Sequence, residues 1–385
     1  MNLSGFLVTN KSVRYTVAAL AVTTLVVLLG GGWYFSDVLE EDALAVDNDP
    51  DDFTLTITDI SDDTITLEHL PHVEEDENLQ ISATWGVSNG QAYGQLGDVV
   101  AESDGRVTRE HSTLNGTFSV GDNVYLDRSS FPHDPLLAHG LDYTEVLIPG
   151  PIGTYGAWYV KGKSSLWAIL VHGRTDNRDS SIKLIDDLHR LGIHSLTIDY
   201  RNDQGGPPSE SGYYDFGLSE WVDVEAAVGY ALDNGAEKII LVGYSMGGGI
   251  VVNYQLQSEL AVNTIGIILE APMLNFAKTV DKGAAERSVP APVTFVAKTF
   301  STIRFKVDWN GMDFLARADE LTVPILLIHG DADDTVPVET SVEFASKLPE
   351  LTELHIFANA GHVASWNLYT QEYERLVAVF VKRIR

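Results

Sequence analysis

No cysteine occurs in the 385 residues, which excludes disulfides, thiolate zinc sites and a cysteine nucleophile, and removes any cysteine-based clue to redox compartment. Positive charge is the second scarcity: 25 Lys and Arg stand against 55 Asp and Glu, a formal net charge of -30. Such a surface repels nucleic acid and anionic lipid headgroups, so neither is expected as a partner of the folded part. It reads instead as a strongly solvated exterior. No internal repeat or low-complexity tract is present.

The scarcity is uneven along the chain. Between Arg14 and Arg106 there is no Lys or Arg, while 19 acidic residues fall in the interval. Tyr15 to Phe35 is a 21-residue run without a charge, as a helix roughly 31 Å long and matched to a bilayer core. Lys11 and Arg14 precede it, and the positive-inside rule puts residues 1–14 in the cytoplasm and everything after Phe35 outside. The expectation is a single-pass anchor over residues 15–35 in the cell membrane, with the folded portion extracytoplasmic. The alternative is a secreted protein cleaved at Ala43-Leu44-Ala45; the length of the run and the acids Asp37, Glu40, Glu41 and Asp42 ahead of that site stand against it.

Residues 36–52 are acidic, contain Pro50 and lack apolar periodicity, the pattern of a solvated linker. At Phe53 the texture changes. Phe53 to Thr58 alternates, Ile60 to Asp63 supplies turn residues and Thr64 to Leu67 alternates again, predicting a β-hairpin. Further β-like runs at Leu79 to Trp85, Gly105 to Glu110 and Thr117 to Leu126 make residues 53–141 a small β-rich module. From Asp142 the pattern becomes strand, helix, strand, helix, as in a mostly parallel sheet flanked by helices. A hairpin at Tyr143 to Ile148 and Tyr155 to Lys161 opens it. Strands follow at Trp167 to Val171, Ser195 to Asp199, Lys238 to Val242, Ile265 to Leu269, Pro324 to Ile328 and Glu353 to Phe357. Between and after them lie helical runs Ser181 to Leu191, Leu218 to Leu232, Gly247 to Gln257, Val338 to Lys347 and Ser365 to Ile384. Residues 276–312 are too long for a simple crossover and read either as a short cap or as a plain helical connection with no gating role.

Chemistry concentrates at Gly243-Tyr244-Ser245-Met246-Gly247-Gly248, directly after a predicted strand and at the start of a predicted helix. A serine between glycines at a strand-to-helix turn is the mark of a nucleophile elbow. Its hydroxyl needs a base to take the proton and an acid to hold that base. His329-Gly330-Asp331-Ala332-Asp333-Asp334-Thr335-Val336-Pro337 follows one later strand and Gly361-His362 follows the next. In a parallel sheet those loops gather at the same edge as the serine turn.

In these three motifs, each after a strand and in the order serine, acid, histidine, residues 142–385 resemble the α/β-hydrolase superfamily of serine hydrolases. The resemblance implies an α/β-hydrolase fold and a catalytic set of Ser245, Asp333 and His362, with Asp333 in register with the H-G-x-x-D-x-x-V-P pattern. It implies that His172-Gly173-Arg174 after the strand Trp167 to Val171 supplies one oxyanion donor, the Arg174 N–H, and that the Met246 N–H supplies the other. It implies an ester or thioester hydrolase working on a small-molecule or lipid-like acyl substrate, with no cofactor and no metal. Acyl transfer and peptide hydrolysis use the same three residues, and a non-catalytic binding module on the same scaffold is the reading from another class.

Several residues compete with that set. Asp331, Asp334 and Glu270 are rival acids; His172 and the Asp199-Tyr200-Arg201 segment read as structural. Val336 occupies the position where a calcium loop needs its turn glycine. His69-Leu70-Pro71-His72 with Glu74 and Glu75 fits a solvated loop better than a metal site, because Pro71 prevents regular helical pairing. Tyr213, Tyr214 and Phe216 on the loop 202–217 either line a substrate pocket or pack the loop onto the body.

Overall fold

A computed structural model describes residues 11–73 and 76–385; Glu74 and Glu75 of the histidine-rich loop, and most of the expected cytoplasmic segment, lie outside the described residues. Six strands, β1 (Leu55–Ile60), β2 (Thr64–His69), β3 (Trp85–Ser88), β4 (Tyr93–Ser103), β5 (Arg106–Asn115) and β6 (Asn123–Asp127), close into an antiparallel barrel in the order β1-β2-β5-β4-β3-β6. The predicted first hairpin is β1 and β2, with Ile57 opposite Leu67. Their alternating apolar side chains, Leu55, Ile57, Ile65 and Leu67, are fully buried in the barrel interior.

The stretch Leu79 to Trp85 is not a strand. It is a short 3-10 turn and a loop, with β3 beginning only at Trp85. Buried Arg109 of β5 holds it in that shape, its guanidinium donating to the carbonyls of Asn78, Leu79 and Ala83 at 3.1, 3.2 and 2.8 Å. Those carbonyls are satisfied by a side chain rather than by a ladder, and burial pulls the Arg109 pKa down to about 10.

The second unit is an eight-stranded sheet ordered β14-β13-β12-β11-β9-β10-β8-β7. Its strands are β7 (Tyr143–Pro149), β8 (Thr154–Val160), β9 (Leu166–Val171), β10 (His194–Ile198), β11 (Lys238–Tyr244), β12 (Thr264–Glu270), β13 (Ile325–Gly330) and β14 (Thr352–Phe357). β9 to β14 run parallel, while β7 and β8 pair antiparallel at one edge. The fully buried central strands are near-continuous apolar runs such as Leu166–Val171, as a sheet covered on both faces requires.

The helices in chain order are α1 (Lys11–Leu39), α2 (Pro135–His139), α3 (Ile182–Arg190), α4 (Trp221–Asp233), α5 (Met246–Gln257), α6 (Phe276–Glu286), α7 (Ala291–Phe305), α8 (Val338–Lys347), α9 (Ser365–Leu368) and α10 (Thr370–Ile384). The predicted C-terminal helix is therefore two, broken at Tyr369, and the expected cap consists of α6 and α7.

The acidic segment departs from expectation. α1 runs past Phe35 to Leu39, a π-helical turn continues to Leu44, and the chain then docks rather than floating in solvent. Leu44 is buried in the main core, Ala45 bridges to Tyr213, and the Tyr214 N–H donates to the Leu44 carbonyl at 2.9 Å. Apolar Leu39, Ala43, Leu44 and Val46 are interleaved with the acids, so one face packs while Glu41 and Asp42 stay exposed and half-buried Asp37 and Glu40 bind Arg304 and the Tyr213 hydroxyl. Exposed chain begins only at Asp47.

Candidate functional site

The switch point of the sheet, where strand order reverses between β9 and β11, holds the site. Gly243 of β11 pairs with Val171 of β9, so the two strands end side by side and deliver Ser245 and the His172-Gly173 turn to the same spot. Ser245 has φ 49° and ψ -118°, a conformation strained for a residue with a Cβ. Glycines on either side make that turn sterically feasible. A Cβ on Gly247 would lie 2.2 Å from the Val171 carbonyl oxygen, and one on Gly243 would lie 2.7 Å from that of Gly247. Ser245 is half-buried among fully buried neighbours, which leaves its hydroxyl reachable.

His362 arrives on the loop after β14 and Asp333 on the loop after β13. The Ser245 hydroxyl lies 2.8 Å from His362 Nε2, and His362 Nδ1 lies 2.8 Å from Asp333 Oδ2. Asp333 is buried and its other oxygen accepts the N–H groups of Thr335 and Val336 at 2.9 and 2.8 Å. His329 Nε2 donates to Oδ2 as well, at 3.0 Å, and Ser341 donates to His329 Nδ1 at 2.7 Å. Burial alone would raise the Asp333 pKa, but the hydrogen bonds from His329 and His362 outweigh it and hold the carboxyl well below the usual carboxylate range.

The rival acids are committed elsewhere. Glu270 accepts the Ser365 N–H at 3.0 Å and the Tyr373 hydroxyl at 2.9 Å. Asp331 accepts the Asn359 N–H at 2.6 Å, and exposed Asp334 accepts the Thr335 hydroxyl at 3.0 Å.

Around the predicted oxyanion donors the backbone is pinned. The Tyr200 hydroxyl donates to the carbonyls of His172 and Gly173 at 3.1 and 2.8 Å, and His172 Nδ1 donates to the Gly173 carbonyl at 2.8 Å. In a planar trans peptide the next N–H, that of Arg174, points opposite to that carbonyl. Gly173 lies directly against the serine, since a Cβ there would be 3.2 Å from the Ser245 Cβ. Met246 is the first residue of α5, and an N–H in that position has no acceptor within its own helix.

Fully buried His172 also donates from Nε2 to Asp203 at 2.9 Å, and Asp203 accepts the Tyr200 N–H at 2.6 Å. Burial opposes its charge, but Asp203 overcomes it and pushes the His172 pKa up to about 9. His172, Asp199 and Asp203 bring three potential metal-ligand atoms within 4.8 Å. Their atoms already have protein partners, Asp199 pairing with Arg178 at 3.0 Å, so this group is a hydrogen-bonded prop rather than an open cation site.

Sequence reasoning missed the supports of this site. Tyr200 read as structural and His329 stood in the acid motif, but that His329 bonds Asp333, and that Asp203 holds His172, are tertiary contacts without a sequence signal. Asn367 carried no signal at all. It lies on α9, just beyond His362, and its buried amide donates to the carbonyls of Thr84 and Arg128 and to the Ser130 hydroxyl, at 2.8, 3.0 and 3.0 Å. Its oxygen accepts Lys183 Nζ at 3.2 Å. The barrel unit is thereby fastened to the histidine loop. Of the loop aromatics, Tyr214 is buried and Phe216 stacks on Phe276 of α6 with ring centres 3.9 Å apart.

A model of the alpha/beta hydrolase family matches residues 168–379, more than half of the chain. The chain belongs to the alpha/beta hydrolase family. Among its relatives is the human protein ABHD12B, 27% identical over 217 residues that make up 50% of this chain and 54% of that protein. The chain thus spans about half the length of this relative. YfhR of Salmonella typhimurium is 22% identical over 230 residues, covering 56% of this chain and 70% of that protein. Among solved structures, the Pyrococcus furiosus esterase Pf2001 superposes with a TM-score of 0.52 at 23% identity, over 64% of this chain and 92% of its own. That likeness confirms the α/β-hydrolase fold of the eight-stranded unit.

Proposed function

We propose that the protein is a serine hydrolase of carboxylic esters or thioesters, held at a membrane by α1. The observation that carries the reading is the chain of hydrogen bonds from the Ser245 hydroxyl through His362 to buried Asp333. Ser245 Oγ bonds to the acyl carbon as its proton passes to His362 Nε2, and Asp333 steadies the imidazolium. The carbonyl oxygen takes up negative charge toward the N–H groups of Met246 and Arg174. Collapse breaks the bond to the leaving oxygen or sulfur, which takes the proton from His362. Water, deprotonated by the same nitrogen, then attacks the acyl-enzyme and releases the acid, restoring the serine.

The esterase name of the Pyrococcus relative agrees with this reading. Support for the membrane comes from α1, the one helix among the described residues long and apolar enough to span a bilayer. Tyr15, Val17, Leu20 and Val22 are all more than half exposed, an arrangement that favours lipid as their solvent. The docked Ala43-Leu44-Ala45 segment, with Leu44 in the core, supports an anchor that stays attached.

A fluorophosphonate probe tests the chemistry. Covalent labelling of the wild-type protein and its loss in Ser245→Ala are expected; no labelling, or equal labelling of both, overturns the reading.

A further inference from the structure

A cavity of about 280 Å³ lies between the end of α1, the two cap helices and the acid loop. Phe35 and Leu39 of α1, Phe276 and Val280 of α6, and Ala297 of α7 line it, together with Thr335. The Thr335 N–H donates to Asp333 at 2.9 Å, so the cavity shares a wall with the acid that holds His362. Its size is near the lower end for ligand sites, and its walls are predominantly apolar.

Where this cavity sits relative to the apolar run follows from the pairing of α1 with α7. Gly31 faces Val293, a Cβ on Gly32 would lie 2.3 Å from Val296, Trp33 meets Phe300 with ring centres 5.5 Å apart, and Arg304 binds Ser36 and Asp37. The helices are therefore parallel, in close contact through small residues, with the start of α7 level with Gly31, inside the 21-residue apolar run. Phe295 and Ile303 of α7 are each 70% exposed. The cavity lies where that run ends, lined by Phe35, Val38 and Leu39 of α1 and by Asp42 and Ala43 of the turn after it.

We propose that the cavity takes the single acyl chain of a membrane-resident lipid ester, which enters sideways from the bilayer, with the anchor helix as one wall of the substrate site. The inference rests on the ester-hydrolase reading above. An acyl chain in this cavity lies against a mostly apolar wall, with Asp42, Glu286, Arg287 and Lys298 also in the lining, and its carboxyl end is left beside the acid loop.

The test uses the full chain in phosphatidylcholine nanodiscs and a series of p-nitrophenyl esters from acetyl to palmitoyl. Leu39→Trp fills the cavity from the anchor and Ala284→Trp from α6. In each, the kcat/KM for dodecanoyl over butanoyl ester is expected to fall about tenfold or more, since each lost methylene contact is worth a sizeable factor. Unchanged ratios in both overturn the inference. Labelling by the fluorophosphonate shows that a variant is folded, and if one variant fails this the other decides. As a second readout, Ser245→Ala is irradiated in discs containing phosphatidylcholine with a diazirine on its palmitoyl chain. Adducts at residues 35–43 and 276–297 are expected; adducts confined to residues 15–34 overturn the proposal. A wild-type protein that turns over no ester of any length sinks the hydrolase reading, whereas one that turns over all lengths but ignores both tryptophans sinks only the cavity.

Discussion

The hydrolase sheet is gripped from two sides by contacts of opposite kinds. On the barrel side, buried Asn367 sits among carbonyls, a hydroxyl and Lys183, with every polar atom of its amide satisfied. On the anchor side, α1 meets α7 mainly through apolar packing, joined by half-buried Arg304, which binds Ser36 and Asp37 and lies over the Trp33 ring, while the turn after α1 adds the exposed pair of Asp42 with Arg287 at 2.7 Å. Directional hydrogen bonds fix a geometry and are costly to break when buried. Apolar packing has little directionality and tolerates sliding. The difference teaches that the histidine loop is held by buried directional bonds on one side, while the face with the cavity is held mainly by packing.

Breaking the residue on which both sides converge has the largest expected effect. Asp333→Asn should lower kcat by about 10⁴, because His362 loses the acceptor that sets its tautomer, as steady-state ester kinetics will show. Because the Asp333 pKa is depressed when folded, its contribution to stability is fully present above the unfolded value of 3.8 and is lost as pH falls through the depressed value. Acid unfolding of Asp333→Asn should lack that component.

Asn367→Ala attacks the hydrogen-bonded side. It takes one partner each from two backbone carbonyls, which keep the Ser130 hydroxyl, and from Lys183, which keeps the Val363 carbonyl, and should cost about 1–3 kcal/mol by urea denaturation. A fall in kcat with little change in KM should accompany it, since the histidine loop is what moves.

His172 tests a second buried, directional support, the turn beside Ser245, through pH. Its pKa is raised to about 9 from 6.5, so its contribution is fully present below pH 6.5 and is lost as pH rises through 9, on the order of 3 kcal/mol at most. Denaturation midpoints measured from pH 6 to 10 should fall in the wild type and stay flatter in His172→Asn.

The smallest effect belongs to the packed side. Arg287→Ala removes a pair whose partners are both largely exposed, and should change stability by less than about 1 kcal/mol. A loss as large as that of Asn367→Ala would erase the contrast.

Much of this was legible because it is local. The elbow needs a strand, a tight turn and a helix within a dozen residues, and Gly243, Ser245 and Gly247 announce it. The pattern H-G-x-x-D-x-x-V-P likewise marks Asp333 within one loop. β4 was invisible: Gly94 and Gly97 interrupt its alternation, and its pairing with β5 shifts register between Leu96 and Val99 and again before Ala101. Residues 79–85 read as a strand because their shape is set by Arg109, some thirty positions away. The acidic segment read as free linker because its charges outnumber the four apolar residues that dock it.

With no sulfur bridge to staple it, the small β unit protects itself by topology. β6 returns to pair with β1, so the first and last strands cover one another, and β4 beyond Leu96 is the stretch paired on its β5 side alone. Copies of the chain meeting side by side therefore find in that unit only a short border, the outer end of β4, along which they could zip together.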